Sequence, residues 1–200
     1  MITDLIQGNP HFNYNPFGGL SDKELNGILL PKFDLKDIAN QLRTTPSTVI
    51  EFVGKKGRGK TSHLRMLSYE LPEAALFLLD DKSTVAEIEQ SESSILLIDS
   101  IHHISVLDRK KLFKLPKAIL FTTHWSKRIE LFCANQALKS YSFKGIDIKN
   151  LKRIIENRIT QAIPQGQPFT LNADYLDRMI SKHGDHYRGI INELYHQFQQ

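Results

Sequence analysis

Gly54-Lys55-Lys56-Gly57-Arg58-Gly59-Lys60-Thr61 is the stretch whose reading decides the fold. Its spacing is G-x-x-x-x-G-K-[ST], a loop that wraps phosphate, and the chemistry needs these residue types in this order. Gly54 and Gly59 allow a tight turn in which successive peptide N–H groups converge on an anion, with Lys55, Lys56, Gly57 and Arg58 spanning the gap. The ammonium of Lys60 suits the β- and γ-phosphates of a nucleotide, and the hydroxyl of Thr61 suits Mg2+. Ser62 lies in the first turn of the helix that follows, whose positive end faces the same anion.

The flanks agree. Thr48-Val49-Ile50-Glu51-Phe52-Val53 is β-branched and apolar, the pattern of a buried strand. Ser62–Tyr69 has helical spacing, with Leu64, Met66, Leu67 and Tyr69 available to pack. Strand, loop and helix in that order are the context such a loop requires.

Further out, Ala75–Leu79, Ile95–Asp99, Ala118–His124 and Leu138–Phe143 are apolar runs separated by helical stretches. That alternation predicts an α/β fold: a three-layer P-loop NTPase with a parallel sheet of about five strands, ligands binding at the strands' carboxyl ends. From residue 147 the pattern is helical only. Leu151, Ile155 and Ile159 with Ile148 and Ile154 form one stripe, Asn172 can cap a second helix, Gly184 can end it, and Ile190 to Phe198 lie on a third. Residues 1–33 are rich in Asn, Gly, Pro and Phe and read as an extended arm anchored at Phe17, with a short helix near Asp22–Ile28; Asp34 can cap a helix over Leu35–Leu42. The expected organisation is an N-terminal arm with short helices (1–47), a P-loop core (48–146) and a small C-terminal helical lid (147–200).

Composition narrows the setting. A chain of 200 residues suits one domain with at most a small appendage, and no apolar run is long enough to span a bilayer. The start lacks a signal-peptide pattern and Cys133 is the single cysteine, in an apolar stretch, so a packed thiol, no membrane insertion and a cytoplasmic location are expected. Net charge is a mild +4. The cluster Arg109, Lys110, Lys111, Lys114 and Lys117 is a candidate surface for DNA phosphate, a solvated helix face being the alternative.

Asp99 closes an apolar strand some distance after the loop, the Walker B arrangement, and is expected to bind with Thr61 the Mg2+ that accompanies ATP. The next residue is Ser100, whose hydroxyl cannot act as a general base near neutral pH. His102 and His103 follow and titrate in the right range, though a turn with no catalytic part is the plainer reading. At the end of the next run, Thr123 and His124 point to opposite faces, and either is placed to feel a γ-phosphate. Arg188, in Gly184–Leu194, is an arginine at a helix start whose planar fork suits the same phosphate.

Together these residues resemble the AAA+ ATPases, in particular the branch of origin-recognition, transposition-regulator and secretion ATPases. The likeness runs over roughly residues 12–197 and rests on Gly54–Thr61 (Walker A), Ile95–Asp99 (Walker B), Thr122–His124 (the sensor 1 place), and Gly184–Leu194 (sensor 2 and lid). Phe143-Lys144-Gly145-Ile146-Asp147 is similar to that family's entry into the lid, and Asn15-Pro16-Phe17 to its segment near adenine. The resemblance implies ATP between core and lid, with Lys60, Asp99, His124 and Arg188 as the catalytic set. It also implies assembly, with a neighbour's arginine finger completing the site; Arg128 and Arg109 are the candidates here. The function expected is a nucleotide-controlled switch that assembles with itself, a partner protein or DNA and hydrolyses ATP. The alternatives are a non-hydrolysing nucleotide-binding adaptor and a small P-loop kinase.

Overall fold

The computed structural model describes residues 2–8, 10–133, 136–145, 147–184 and 186–199. Ile146 and Asp185, which fall within stretches quoted above, lie outside the described residues. In chain order the elements are α1 (Ile2–Leu5), β1 (Ile6–Gln7), α2 (Asp22–Ile28), α3 (Leu35–Thr44), β2 (Val49–Val53), α4 (Lys60–Glu70), β3 (Ala75–Leu78), α5 (Val85–Glu89) and β4 (Ile95–Asp99). A 3-10 turn (Ile101–His103) then leads to α6 (Val106–Leu112), β5 (Ala118–Thr123), α7 (Arg128–Phe132), β6 (Leu138–Ser142), α8 (Ile148–Ala162), β7 (Thr170–Leu171), α9 (Ala173–His183) and α10 (Tyr187–Phe198). The chain gathers into two compact units: residues 31–143, and residues 1–30 together with 144–200.

The first unit is built on a five-stranded sheet in the order β3-β4-β5-β2-β6, parallel throughout. Its three inner strands carry apolar side chains to both faces, and β4 and β5 are buried along their whole length. This is why they read as continuous hydrophobic runs rather than as alternation. Leu96, Ile98, Ile119 and Phe121 pack with Ile88, Leu112 and Phe113 into one core, each contributing about 1.5–3 kcal/mol by leaving water. The register pairs Val53 with Thr123 and Leu78 with Asp99. The residues following these strands therefore emerge along one edge of the sheet, the edge where Gly54, Ser100 and His124 stand.

Asp34 caps α3 as expected, its carboxylate accepting from the N–H groups of Lys36 and Asp37 at 3.0 Å, and Leu35, Ile38, Ala39 and Leu42 form the buried stripe. Residues 31–47 thus fold with the sheet rather than with the arm.

In the second unit, Leu151, Ile155 and Ile159 of α8 pack with Tyr175, Leu176 and Met179 of α9 and with Ile190 and Leu194 of α10. Asn172 caps α9 by accepting from the Tyr175 N–H at 3.2 Å. Residues 2–7 are not the extended arm the composition indicates. They form α1 and β1, and β1 pairs antiparallel with β7, Ile6 opposite Leu171. Leu5 and Ile6 are buried there, a long-range pairing that a four-residue helix and a two-residue strand cannot announce by periodicity. The turn at Asn15–Gly18 is as expected: Phe17 is buried, and Arg158 of α8 donates from Nη1 to the carbonyls of Pro16 and Gly18 at 3.0 and 3.1 Å. Burial pushes the Arg158 guanidinium down to about 10.

Two local expectations fail. Ile148 is exposed, because it is the first residue of α8, ahead of the turn whose side chains reach the core. Cys133 is exposed rather than packed: it follows a five-residue helix that buries only Leu131. Among the described residues no helix is long and apolar enough to cross a membrane.

Candidate phosphate site at the carboxyl edge of the sheet

The loop between β2 and α4 is shaped by its glycines. Gly57 and Gly59 take φ of +82° and +85°, the left-handed region that a side chain resists. Gly54 is required for a different reason. A Cβ on it would lie 2.5 Å from the carbonyl oxygen of Phe143, at the end of β6. The loop is stitched to the sheet by Gly54 N–H to Thr123 O at 3.1 Å and by Arg58 Nη1 to Phe143 O at 3.0 Å. Lys60 is buried, and its ammonium donates to the carbonyls of Gly54 and Lys55 at 2.6 and 2.9 Å, so it is folded across the mouth of its own loop. Gly59 begins α4 without a side-chain cap, and no acidic residue stands in the first turn; the positive end of the helix is open to an anion. Lys55 and Lys56 are exposed.

His63 holds the loop from behind. Its Nδ1 lies 2.8 Å from the Gly59 carbonyl, and its Nε2 accepts the Lys32 N–H at 2.8 Å. Those partners fix one tautomer, protonated at Nδ1 only. Burial drives its pKa down to about 4, against a partial opposing pull from the Gly59 carbonyl.

Across the edge, the Thr61 hydroxyl donates to the Asp99 carboxylate, 2.9 and 3.1 Å from its two oxygens. Asp99 is oriented by Thr122 on β5, whose hydroxyl donates to it at 2.6 Å and accepts the Ser100 N–H at 2.8 Å. Sequence reasoning missed Thr122 in this role. The available signal was a buried polar residue on an otherwise apolar strand paired with the strand that carries Asp99. Thr61 and Asp99 present hard oxygen donors side by side, which fits a Mg2+ that keeps most of its ligands as phosphate oxygens and waters. Among the described residues no group of three or more His, Cys, Asp or Glu side chains is arranged to hold a metal by itself.

Ser100 adopts φ 60°, ψ 48°, a left-handed conformation for a residue with a side chain. It turns the chain abruptly into the 3-10 turn and brings His102 over His124. Their ring centroids are 4.7 Å apart with a 30° tilt, and those of His102 and His103 are 4.3 Å apart. His103 is fixed by Asp81, Nδ1 to Oδ1 at 2.8 Å. Partial burial lowers the pKa of His124, helped by Lys60 and Lys56 and opposed by Asp99. Partial burial and then the neighbouring His103 and His124 lower that of His102. Of the two strand-end candidates, Thr123 spends its hydroxyl on the Trp125 carbonyl at 3.0 Å, while His124 remains half-buried beside the loop.

Some expected residues stand elsewhere. Arg109 is buried, bonded through Nε and Nη2 to Glu130 at 2.7 and 2.9 Å and through Nη1 to the Ile104 carbonyl. It therefore belongs neither to the basic surface nor among the finger candidates. Lys117 is half-buried with its ammonium on the Ser91 carbonyl, and Lys111 pairs with Asp108 at 3.2 Å. Lys110 and Lys114 are exposed, as is Arg128. Arg188 belongs to the other unit, exposed in the first turn of α10.

A parallel sheet in this order, with a glycine loop after β2 and a carboxylate ending β4, is a P-loop NTPase α/β fold. Within that class, its structural neighbours are AAA+ ATPases of the replication-initiation branch. DnaA from Aquifex aeolicus, solved with AMPPCP, matches at TM-score 0.55 and 16% identity over 85% of this chain and 62% of that one. A DNA replication initiation factor matches at 0.60 and 14% over 88% and 64%, and the Aeropyrum pernix Orc1 protein, solved in complex with DNA, at 0.53 and 14% over 87% and 62%. The chain thus spans less than two thirds of the length of these structures. No family model and no curated relative matches it.

Proposed function

We propose that this protein is a Mg-ATP-binding AAA+ switch whose nucleotide state controls its assembly with itself, a partner protein or DNA. One observation carries the reading: the Thr61 hydroxyl and the Asp99 carboxylate meet at 2.9 Å beside a loop shaped by its glycines, two with positive φ and Gly54 against the Phe143 carbonyl. On this reading the peptide N–H groups of residues 54–62 surround the phosphates. Lys60 exchanges the carbonyls of Gly54 and Lys55 for the β- and γ-phosphates, an ammonium preferring phosphate oxygens to neutral carbonyls. Thr61 and Asp99 would hold Mg2+, which would supply charge neutralisation at the phosphates. His124 faces the γ-phosphate. Support comes from the fold, and from neighbours solved with AMPPCP and with DNA.

Hydrolysis is slow, or is completed by a partner's arginine, because the position after Asp99 is Ser100. That same residue favours a second reading, an adaptor that binds ATP without turning it over. Lys110, Lys111 and Lys114 are what remains of the basic surface for DNA, and binding there weakens steeply with salt. We place the protein in the cytoplasm on the same reading.

Calorimetry with Mg-ATP tests the conclusion. The folded protein gives a saturable heat, and Lys60→Ala loses it; no heat with any purine triphosphate overturns the reading. Sizing with and without a non-hydrolysable analogue and duplex DNA separates assembly from a monomeric binder. Phosphate release that stays at background under all these conditions selects the adaptor.

A further inference from the structure

The molecule stacks three imidazoles at the mouth of this loop, and the proposed function uses one. His103 is occupied by Asp81. The rings of His102 and His124 lie 4.7 Å apart, tilted by 30°. Offset imidazole rings at that separation stack well when at most one is charged, and two imidazolium ions there repel strongly. The groups whose charge acts on the pair come from five places in the chain. Lys56 and Lys60 lie on the loop and the start of α4, Asp99 ends β4, His103 is on the 3-10 turn, and Lys127 follows β5. Before a nucleotide arrives, partial burial and the surrounding cations disfavour a proton on either ring.

We infer that His102 and His124 form a proton-charged clamp for the terminal phosphate of a nucleoside triphosphate, taking up a proton from solvent as the triphosphate binds. The inference rests on the nucleotide-binding reading above and deepens it. A triphosphate brings a charge that reverses the local field. Each nearby imidazole then gains basicity, and a protonated ring donates to a phosphate oxygen through a charge-assisted hydrogen bond. The stacked partner stays neutral and spreads the charge across its face. The proton comes from solvent and no bond to phosphorus is made or broken in this step. A diphosphate places no charge at that end and takes up less. The pair therefore makes preference for triphosphate over diphosphate depend on pH, increasing as the pH falls through the imidazole range. Ser100 is the hinge that makes this possible: its left-handed backbone folds the next turn back so that His102 meets His124.

The test is calorimetry with a non-hydrolysable Mg-ATP analogue and with Mg-ADP, in buffers of low and high ionisation enthalpy. The wild type is compared with His102→Ala and with His102→Ala/His124→Gln. The nucleotide's own ionisation is common to all proteins and cancels in the comparison. The wild type takes up more protons with the triphosphate than either variant. Its triphosphate preference falls several-fold between pH 6 and pH 8, as the pair loses the proton that favours the terminal phosphate. In the double variant the preference is flat with pH. Equal proton counts in wild type and variants overturn the clamp and leave nucleotide binding standing. Absence of binding by the wild type overturns the function itself. His102 is exposed, so the single variant folds and keeps the test decisive if the double variant does not.

Discussion

Glu51 and Asp99 are both buried acids of the same sheet, on β2 and β4 with β5 between them, yet their surroundings differ in kind. Glu51 sits mid-strand. One oxygen accepts the hydroxyls of Ser126 and Ser140 at 2.5 and 2.7 Å, and the other accepts the Lys127 N–H at 2.9 Å. Its partners tie two strands and the loop after β5 into one piece. Asp99 stands at the strand's end and, among the described residues, its carboxylate accepts threonine hydroxyls, from Thr122 and Thr61. A peptide N–H is fixed by the fold, but a hydroxyl rotates and can turn a lone pair to a cation instead. Burial does not separate the acid that holds the structure from the acid that can take a ligand; the fixed peptide N–H on Glu51 and the strand-end position of Asp99 do.

The contrast breaks first if Glu51 is not structural. Glu51→Ala leaves three donors without their acceptor and should lower unfolding free energy by roughly 3–5 kcal/mol, read by denaturant titration. Glu51→Gln should cost only about 1 kcal/mol, because the serine hydroxyls can turn to accept from the new amide while its oxygen keeps the Lys127 N–H. Equal losses in the two variants would show that shape rather than hydrogen bonding holds the loop.

A second structural group lies under the loop itself. His63 has a folded pKa of about 4 against about 6.5 unfolded. As pH falls between those values the unfolded chain binds the proton and the native one does not, so stability is lost over that window and is unaffected above it. The full loss is about 3 kcal/mol, seen as a drop in denaturation midpoint from pH 7 to pH 4 that His63→Ala largely removes.

Gly54→Ala comes next. The new methyl meets the Phe143 carbonyl, a backbone atom that cannot swing away. A loss of about 1–3 kcal/mol is expected, together with loss of Mg-ATP affinity because the loop must open to make room. Retained nucleotide heat in a destabilised variant would separate the strain from the site.

Much of this was legible because the sheet is parallel and buried: β2, β4 and β5 announce themselves as apolar runs, and the glycine spacing between β2 and α4 fixes where the loop lies. What stayed hidden is long-range. Nothing local tells that Ile6 will pair with Leu171, or that Glu51, read inside an apolar run, will be met by serines 75 and 89 residues away. Arg109 reads as part of a basic stripe because its neighbours are lysines, and only the packing of α7 supplies Glu130. The strand-end pair was ambiguous for a similar reason: alternation sends Thr123 and His124 to opposite faces but does not say which face meets the loop.

The smallest effect on stability is the sharpest test of the comparison. In Asp99→Asn, the amide oxygen can accept from Thr122 and the amide nitrogen can donate to the Thr61 hydroxyl, so the hydrogen-bond count is kept and stability should change by less than about 1 kcal/mol. The carboxylate's charge is gone, and with it the hard anionic ligand. Triphosphate affinity in the presence of Mg2+ should fall about tenfold or more, while affinity measured in excess chelator stays near the wild-type value. Thr122→Val sharpens this further. It keeps the charge and removes the hydroxyl that aims it, so its Mg2+-dependent loss should be smaller than that of Asp99→Asn, with a stability cost of about 1–2 kcal/mol for the Asp99 oxygen and Ser100 N–H left behind. If Asp99→Asn instead unfolds the protein as Glu51→Ala does, then the two acids are alike, both belong to the scaffold, and the metal must be held by something other than the carboxylate at the end of β4.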